Sequence, residues 1–149
     1  MEAILFIGIP GTGKSTFYRE RFFRSHVRLN LDMLRTRHRE GTLFQACLAT
    51  RTKFVIDNTN LTKEERARFL EPALAAGYAV DGYFFQSRVA DALLRNRGRP
   101  PEERVPDAGI HGASGRMVLP TRSEGFRQLF YVWLDEQSHF HCEDYLESP

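Results

Sequence analysis

Apolar residues along the chain form short runs that alternate with longer mixed stretches. The runs have the length and side-chain types of buried strands and occupy residues 3–7, 27–29, 54–56, 79–85 and 129–134. The stretches between them are helical in character. Such alternation is typical of a parallel sheet covered by helices. The pattern therefore predicts an α/β fold with a parallel sheet of about five strands, and a chain of 149 residues has room for a single domain, residues 1–149.

The helix expected after the third run has recognisable ends. Thr62 and Glu65 have the spacing of a capping box, and Gly77 is placed to end the helix. Pro72 is expected to bend or break it, because proline lacks a backbone N–H. The side chains expected to face the core are Phe69, Leu70, Ala73 and Leu74.

A second helix is expected after the fourth run. Ser87 is a suitable N-cap, the helix is predicted to extend through Leu94, and a charged loop containing Gly98 and two prolines follows. Three glycines then occur within residues 109–115. Each weakens a helix by about 1 kcal/mol, so this segment is predicted to be irregular or mobile.

A glycine-rich segment follows the first predicted strand and has the pattern GxxxxGK[ST]. Its glycines let successive backbone N–H groups surround phosphate oxygens. Lys14 can reach the β- and γ-phosphates, and Ser15 can offer its hydroxyl to Mg²⁺. We therefore predict that the chain binds Mg²⁺ and a nucleoside triphosphate, ATP or GTP. The predicted nucleotide-binding residues are Gly8, Pro10, Gly11, Thr12, Gly13, Lys14, Ser15 and Thr16.

Asp32 and Arg35 follow the second predicted strand. If a helix begins at Asp32, the two side chains lie one turn apart on the same face. The carboxylate can then take the proton of a hydroxyl group while the guanidinium holds a phosphate beside it. The spacing fits equally well with Asp32 as a simple helix cap and Arg35 as a solvated neighbour.

Four polar residues, 57–60, follow the third predicted strand. Parallel sheets have their ligand sites at such strand ends. Asp57 has the position of a Walker B aspartate and is a candidate ligand of Mg²⁺ through water. It is equally well interpreted as a buried aspartate satisfied by loop N–H groups. Asn58 and Asn60 are expected to shape the loop.

Charge narrows the class of protein. The formal net charge is only +2, which argues against a nucleic-acid coat protein. Lysine occurs only at Lys14, Lys53 and Lys63, and the other basic residues are arginines, whose planar forks suit phosphate oxygens. The arginines concentrate in residues 19–39 and 88–104, where they can meet a polyanion or simply form a solvated helix face.

The remaining composition indicates an intracellular protein. No apolar run reaches the roughly 18 residues of a membrane span, so we expect a cytoplasmic protein without a membrane partner. Cys47 and Cys142 have no metal-binding spacing and are interpreted as free thiols. His139, His141, Cys142 and Glu143 are metal-ligand types, but they crowd one short tail and do not favour a metal site.

The segments GIPGTGKST, LDMLR, VIDNTNLTKEER and LLRNRGR, in this order, resemble the kinase module of the polynucleotide 5′-kinase family. The closing segment PTRSEGF is also similar, so the resemblance spans nearly the whole chain. It implies that Asp32 is a general base toward a 5′-OH and that Arg35 contacts a substrate phosphate. Arg95 and Arg99 would then belong to a mobile lid, at about residues 95–117, that clamps the donor phosphates.

The chain departs from that family in two places. Residues 39–54 form a short stretch where some family kinases build a substrate tunnel, and the lid is followed by the glycine-rich segment 109–115. The acceptor is therefore left open between DNA, RNA and a small molecule. No phosphatase or ligase module accompanies the kinase residues, so an end-repair partner of that kind is expected to be a separate chain.

The expected function is transfer of the γ-phosphate of ATP or GTP to the 5′-OH of DNA or RNA. Lys14, Asp32, Arg35, Arg95 and Arg99 are the predicted catalytic residues, and Ser15 and Asp57 are the predicted Mg²⁺ ligands. A small-molecule kinase for a nucleoside or sugar would share the loop, Asp32 and the lid. A non-catalytic nucleotide-binding regulatory module is the alternative from a different class. Against it, the chain lacks an NKxD guanine motif and has Asn58 where an AAA-type ATPase carries Glu.

Overall fold

A single mixed sheet organises the computed structural model, which describes residues 1–147. Its six strands lie in the spatial order β2-β3-β1-β4-β5-β6. The five predicted strands are all present, each within one residue of its predicted ends, and the predicted α/β class is confirmed. The bounds are Glu2–Ile7 (β1), Val27–Leu29 (β2), Phe54–Ile56 (β3), Ala79–Phe85 (β4), Gln128–Leu134 (β5) and Phe140–Asp144 (β6).

Strand β6 is absent from the sequence-based prediction. It pairs antiparallel with β5, with Cys142 opposite Val132. Its residues His141 to Asp144 are exposed, so it lacks the apolar run that marks a buried strand. Within residues 1–147, no group of three or more His, Cys, Asp or Glu side chains is arranged to hold a metal ion. His141 Nε2 instead lies 2.9 Å from Oδ2 of Asp135.

Parallel pairing brings the carboxyl ends of β1, β2 and β3 to the same edge of the sheet. Ile56 of β3 is opposite Leu5 of β1 on one side and Leu29 of β2 on the other. β1 lies between β3 and β4, and at such a point in an open sheet the connections leave on opposite faces and form a crevice. The three polar segments singled out in the sequence all begin at this edge.

Alternate residues of β1 hold helices to both faces of the sheet. Leu5 belongs to a buried cluster with Phe44 and Phe69, whereas Phe6 belongs to a second cluster with Phe17.

Within the described residues, no helix is long and apolar enough to span a bilayer. The helices are α1 (Lys14–Arg21), α2 (Leu31–Leu34), α3 (Arg37–Thr50), α4 (Lys63–Ala75), α5 (Val89–Arg97) and α6 (Asp107–Arg116), with short 3-10 helices at Pro101–Glu103 and Arg122–Glu124.

Pro72 does not break α4, contrary to the expectation from sequence. The helix continues to Ala75, and the N–H of Ala76 donates to the carbonyl of Pro72 at 3.0 Å. Because the proline stands in the last turn, its missing N–H removes only one hydrogen bond near the helix end. Phe69 and Ala73 are buried on either side of it, so packing holds the helix together.

The predicted helix caps are only partly correct. Thr62 accepts the N–H of Glu65 as predicted, but the carboxylate of Glu65 receives the N–H of Leu61 rather than that of the cap residue. Ser87 does not cap α5, whose N-cap is Arg88. The Ser87 hydroxyl instead accepts the N–H of Ile9 at 3.2 Å and so connects the end of β4 to the start of the glycine-rich loop.

The segment 109–115 is helical, not irregular. It lies within α6, where Ile110 and Ala113 are buried against α5. This buried face outweighs the helix-weakening effect of the three glycines.

Candidate active site

The glycine-rich loop connects β1 to α1 and contains two glycines with positive φ. Gly11 has φ 84° and Gly13 has φ 94°. Gly11 also approaches α5 so closely that a Cβ would lie 2.7 Å from the carbonyl oxygen of Ala92. Among the described residues, the N–H groups of Gly11, Thr12 and Gly13 have no protein acceptor. Unpaired N–H groups at a helix N-terminus bind phosphate, so the loop fits the phosphates of a nucleotide.

Lys14 is the first residue of α1, and its side chain folds back over the loop. Its Nζ donates to the carbonyls of Gly8, at 2.9 Å, and Ile9, at 2.8 Å. Burial lowers the pKa of Lys14 from 10.5 to about 8, against the opposing effect of the Asp57 carboxylate. Loop carbonyls thus hold the ammonium group where it can turn toward bound phosphates.

Ser15 and Asp57, the two predicted Mg²⁺ ligands, are joined by a direct hydrogen bond. Ser15 Oγ donates to Oδ2 of Asp57 at 3.1 Å, and the Asp57 carboxylate is almost fully buried at the end of β3. A hydroxyl and a carboxylate are hard oxygen donors of the kind that Mg²⁺ prefers, so this pair fits the ion. The same two groups also accept hydrogen bonds from Arg28, a residue that the sequence analysis did not single out.

Asp32 lies inside α2 and does not cap it. Asn30 is the N-cap, and its Oδ1 accepts the N–H of Met33 at 2.9 Å. The interpretation of Asp32 as a simple cap is therefore wrong. The exposed Asp32 carboxylate lines the same cleft as Lys14 and acts electrostatically on the Lys14 ammonium.

Arg35 does not share a helical face with Asp32, and this part of the prediction is wrong. α2 begins at Leu31 rather than at Asp32 and ends at Leu34. Arg35 is the C-cap and has φ 77°, which turns the chain out of the helix. Within the described part of the chain, Arg37 is the arginine of this segment that lines the cleft.

A buried hydrogen-bond network that the sequence analysis missed positions α2. Glu40, only 1% exposed, accepts hydrogen bonds from Nδ2 of Asn58 and from Arg37, both at 2.8 Å. Asn58 Oδ1 in turn accepts the N–H of Leu31 at 2.9 Å. Glu40 lies on the core face of α3 with Phe44, four positions later, and this spacing was the available signal.

The arginine-bearing segment after β4 is anchored by Asn96. Its side chain exchanges two hydrogen bonds with the backbone of Val105, at 2.6 and 3.0 Å, and so closes the proline-containing loop. Arg99, within this loop, lines the cleft and lowers the pKa of Lys14, although burial has the larger effect. Arg95 reaches the glycine-rich loop instead, with Nη1 3.4 Å from the carbonyl oxygen of Gly11.

These segments enclose one cleft of about 180 Å³. Five of the predicted catalytic or metal-binding residues meet there, whereas Arg35 and Arg95 do not line it. From the predicted nucleotide-binding set, Pro10, Gly11, Lys14 and Ser15 line the cleft, and Gly8, Thr12, Gly13 and Thr16 lie in the adjoining loop and α1. The five residues that meet are Lys14, Ser15, Asp32, Asp57 and Arg99.

Comparison with known proteins identifies the family. The AAA domain family matches residues 35–117, more than half of the chain, and the chain belongs to this family. The matched region contains Asp57 and Arg99, and the glycine-rich loop precedes it. The loop and the fold together define a kinase-like, nucleotide-binding P-loop domain.

One curated relative has a similar sequence. The bifunctional polynucleotide phosphatase/kinase of Schizosaccharomyces pombe is 27% identical over an alignment of 149 positions, which covers 97% of this chain and 35% of the relative. The chain therefore spans about a third of that protein.

Solved structures match the fold at low sequence identity. Kti12 from Chaetomium thermophilum, in complex with ADP-AlF3, has a TM-score of 0.66 at 17% identity, covering 91% of this chain and 92% of its own. A gluconokinase from Sinorhizobium meliloti has a TM-score of 0.61 at 15% identity, covering 88% and 81%. These matches support the predicted kinase-type fold.

Proposed function

We propose that this chain is a 5′-hydroxyl polynucleotide kinase, which transfers the γ-phosphate of ATP or GTP to the 5′-OH of DNA or RNA. The observation that carries the proposal is the position of the Asp32 carboxylate in one cleft with Lys14 of the glycine-rich loop. A hydroxyl bound beside Asp32 would face the terminal phosphate bound by the loop. The polynucleotide phosphatase/kinase relative supports the choice of acceptor.

The donor side of the cleft would act through charge. The free N–H groups of the loop would bind the phosphates, and the Lys14 ammonium would turn from the loop carbonyls to the β- and γ-phosphate oxygens. Ser15 and Asp57 would hold Mg²⁺, which supplies positive charge to the phosphates when bound. Arg99 would approach from the lid and stabilise the charge that develops during transfer. Arg95 would hold the glycine-rich loop through its contact with the carbonyl of Gly11.

The acceptor side would act through Asp32. Its carboxylate would accept the proton of the attacking 5′-OH, as a general base does. The network from Glu40 through Asn58 to the N–H of Leu31 would hold α2, and with it Asp32, in place. Arg35 would contact a phosphate of the acceptor from beyond the end of α2, and Arg37 is a second candidate because it lines the cleft.

Exposed arginines beside Asp32 favour a polymer over a small molecule. Arg35 at the end of α2 and Arg37 and Arg39 in the first turn of α3 are all exposed. Phosphates downstream of a 5′ end would give these guanidinium groups partners, whereas a nucleoside or sugar would not. Small-molecule phosphorylation remains the alternative, because it would use the same loop, Asp32 and Arg99.

The proposal is tested by comparing acceptors. The protein is incubated with Mg²⁺, γ-labelled ATP or GTP and one acceptor at a time, at equal concentration: 5′-OH DNA, 5′-OH RNA, a nucleoside or a sugar acid. Label on 5′-OH ends, but not on oligonucleotides already 5′-phosphorylated, is the expected result, and Lys14→Ala should abolish it. Label on a small acceptor alone would replace the proposal with the alternative, and no transfer to any acceptor would contradict both.

A further inference from the structure

Arg28 occupies the position between the two groups expected to hold Mg²⁺. It lies on the edge strand β2, one residue before Leu29, whose side chain faces the opposite side of the sheet. Its Nε donates to Oδ2 of Asp57 at 2.8 Å, and its Nη2 donates to Oγ of Ser15 at 3.0 Å. One guanidinium therefore bridges the hydroxyl and the carboxylate.

The Arg28 guanidinium occupies the space beside Ser15 Oγ that a metal ion would need. The hydroxyl hydrogen is used on Asp57 Oδ2, and an oxygen lone pair accepts the Arg28 N–H. A metal ion on the remaining lone pair of this oxygen would lie beside the guanidinium, and two positive charges so close repel one another. The divalent ion and the Arg28 guanidinium therefore compete for this pair.

Arg28 is the counter-charge of a buried carboxylate. The Asp57 side chain is 1% exposed, and a buried carboxylate needs a counter-charge. The Arg28 side chain is 25% exposed and therefore has a path to solvent. Tyr18 flanks this path, with its ring centroid 6.0 Å from Cζ of Arg28, and so does Met33, with Sδ 3.8 Å from Nη1.

We propose that Arg28 is an internal counter-cation that divalent metal must displace from Ser15 and Asp57, and that it sets the metal concentration at which the site is filled. The proposal rests on the metal-binding role given to Ser15 and Asp57 under the proposed function, and it is independent of the acceptor. Arg28 acts as a positioning residue, since it holds the Ser15 hydroxyl and the Asp57 carboxylate through its two hydrogen bonds.

The test measures binding, without any acceptor. Nucleotide affinity is titrated against Mg²⁺ concentration with a non-hydrolysable ATP analogue, for the parent protein, Arg28→Gln and the control Arg24→Gln. Arg24 is an exposed arginine on the turn before β2, so its removal changes the net charge equally. We expect Arg28→Gln to lower the Mg²⁺ midpoint by about fivefold or more, within the range typical of two linked binding events, and Arg24→Gln to leave it unchanged.

Stability gives a second readout. Without metal, Arg28→Gln leaves Asp57 without its closest cation, so its melting temperature should fall below that of the parent. Added Mg²⁺ should raise the melting temperature of Arg28→Gln more than that of the parent. An unchanged or higher Mg²⁺ midpoint in Arg28→Gln would overturn the proposal. Asp57→Asn would then show whether the proposed metal site fails as well. If Asp57→Asn loses the Mg²⁺ response, only the role of Arg28 is wrong. If Asp57→Asn keeps the Mg²⁺ response, the metal site at Ser15 and Asp57 is also wrong.

A measurement on the parent protein covers the case in which Arg28→Gln does not fold. The Nε–H resonance of Arg28 is assigned by its absence from the spectrum of Arg28→Lys. Hydrogen bonding to Asp57 should protect this proton from exchange with water in the metal-free protein. Protection should be lost when Mg²⁺ and the ATP analogue are added. Equal protection in both states would overturn the proposal.

Discussion

The carboxylate of Glu40 accepts a hydrogen bond from Nδ2 of Asn58 across 2.8 Å, in the interior between α3 and the end of β3. Asn58 cannot turn away, because its Oδ1 holds the N–H of Leu31 at the start of α2. α2 has only four residues and no buried side chain of its own. This short helix, which carries Asp32, is held by the partly buried Leu34 against the core and by polar contacts at its N-terminal end, from Asn30 and Asn58.

Asn58→Ala should reduce phosphoryl transfer through the position of Asp32. The variant removes the acceptor of the Leu31 N–H and leaves one Glu40 oxygen without a donor. We expect transfer to fall by about 10- to 100-fold, because small displacements of a reacting group are costly. The free energy of unfolding should fall by roughly 1–3 kcal/mol. Nucleotide affinity should change little.

A double-mutant cycle with Glu40→Ala checks that explanation. If the two side chains act together, the double variant should lose less stability than the two single losses added. Additive losses would mean that the Glu40–Asn58 contact does not hold α2.

The low pKa of Lys14 predicts proton uptake when a nucleotide binds. Burial lowers this pKa from 10.5 to about 8 in the free protein, and bound phosphates would raise it again. At pH 8 to 9 the binding of an ATP analogue should therefore take up a fraction of a proton, measurable by calorimetry in buffers of different ionisation enthalpy. Lys14→Arg does not titrate in this range and should show no such uptake.

The lowered pKa of Lys14 also makes the stability of the nucleotide-free protein depend on pH. A lysine with a lowered folded-state pKa destabilises the fold while it is charged in both states, below about pH 8. As the pH rises from about 8 to 10.5, the unfolded chain binds more protons at this group than the folded chain does, so its contribution to stability increases. The melting temperature of Lys14→Met should lack the increase that Lys14 gives the parent between about pH 8 and 10.5. Equal pH profiles of melting temperature for Lys14→Met and the parent would contradict this prediction.

Arg99→Ala should affect the rate far more than the stability. Arg99 lines the cleft, and an arginine that stabilises transferring phosphate contributes about 10³-fold or more to the rate. Its loss removes little packing, so the free energy of unfolding should change by less than about 0.5 kcal/mol. Arg97→Ala is the matched control, because Arg97 is exposed at the end of α5. Similar rates for the two variants would rule out a catalytic role for Arg99.

Local sequence patterns predicted most of the fold and the donor side of the cleft. The strands that precede Gly8, Asn30 and Asp57 were predicted within one residue. β1 and β3 contain short apolar runs, and β2 has an apolar residue on each side of Arg28. The glycine-rich loop was recognisable because its positive-φ positions require glycine.

The missed features depend on contacts between residues distant in sequence. Arg28 and Asp57 are brought together only by the pairing of β2 with β3. The cap at Asn30 places the start of α2 at Leu31, one residue earlier than expected, and the helix ends at Leu34, so Arg35 is its C-cap. Pattern analysis does not resolve such one-residue shifts, because Asn and Asp are equally good caps.

The role of Asp32 as general base is tested by the single-turnover rate of Asp32→Asn with a 5′-OH oligonucleotide. Because Asn30 caps α2, the substitution removes a carboxylate without removing a cap. We predict a loss of roughly 10²-fold or more, the contribution of a general base, with unchanged nucleotide affinity. Glu64→Gln, an exposed first-turn carboxylate of α4, should retain the parental rate. Transfer by Asp32→Asn at the parental rate would contradict the role of Asp32 and the account of the cleft built on it.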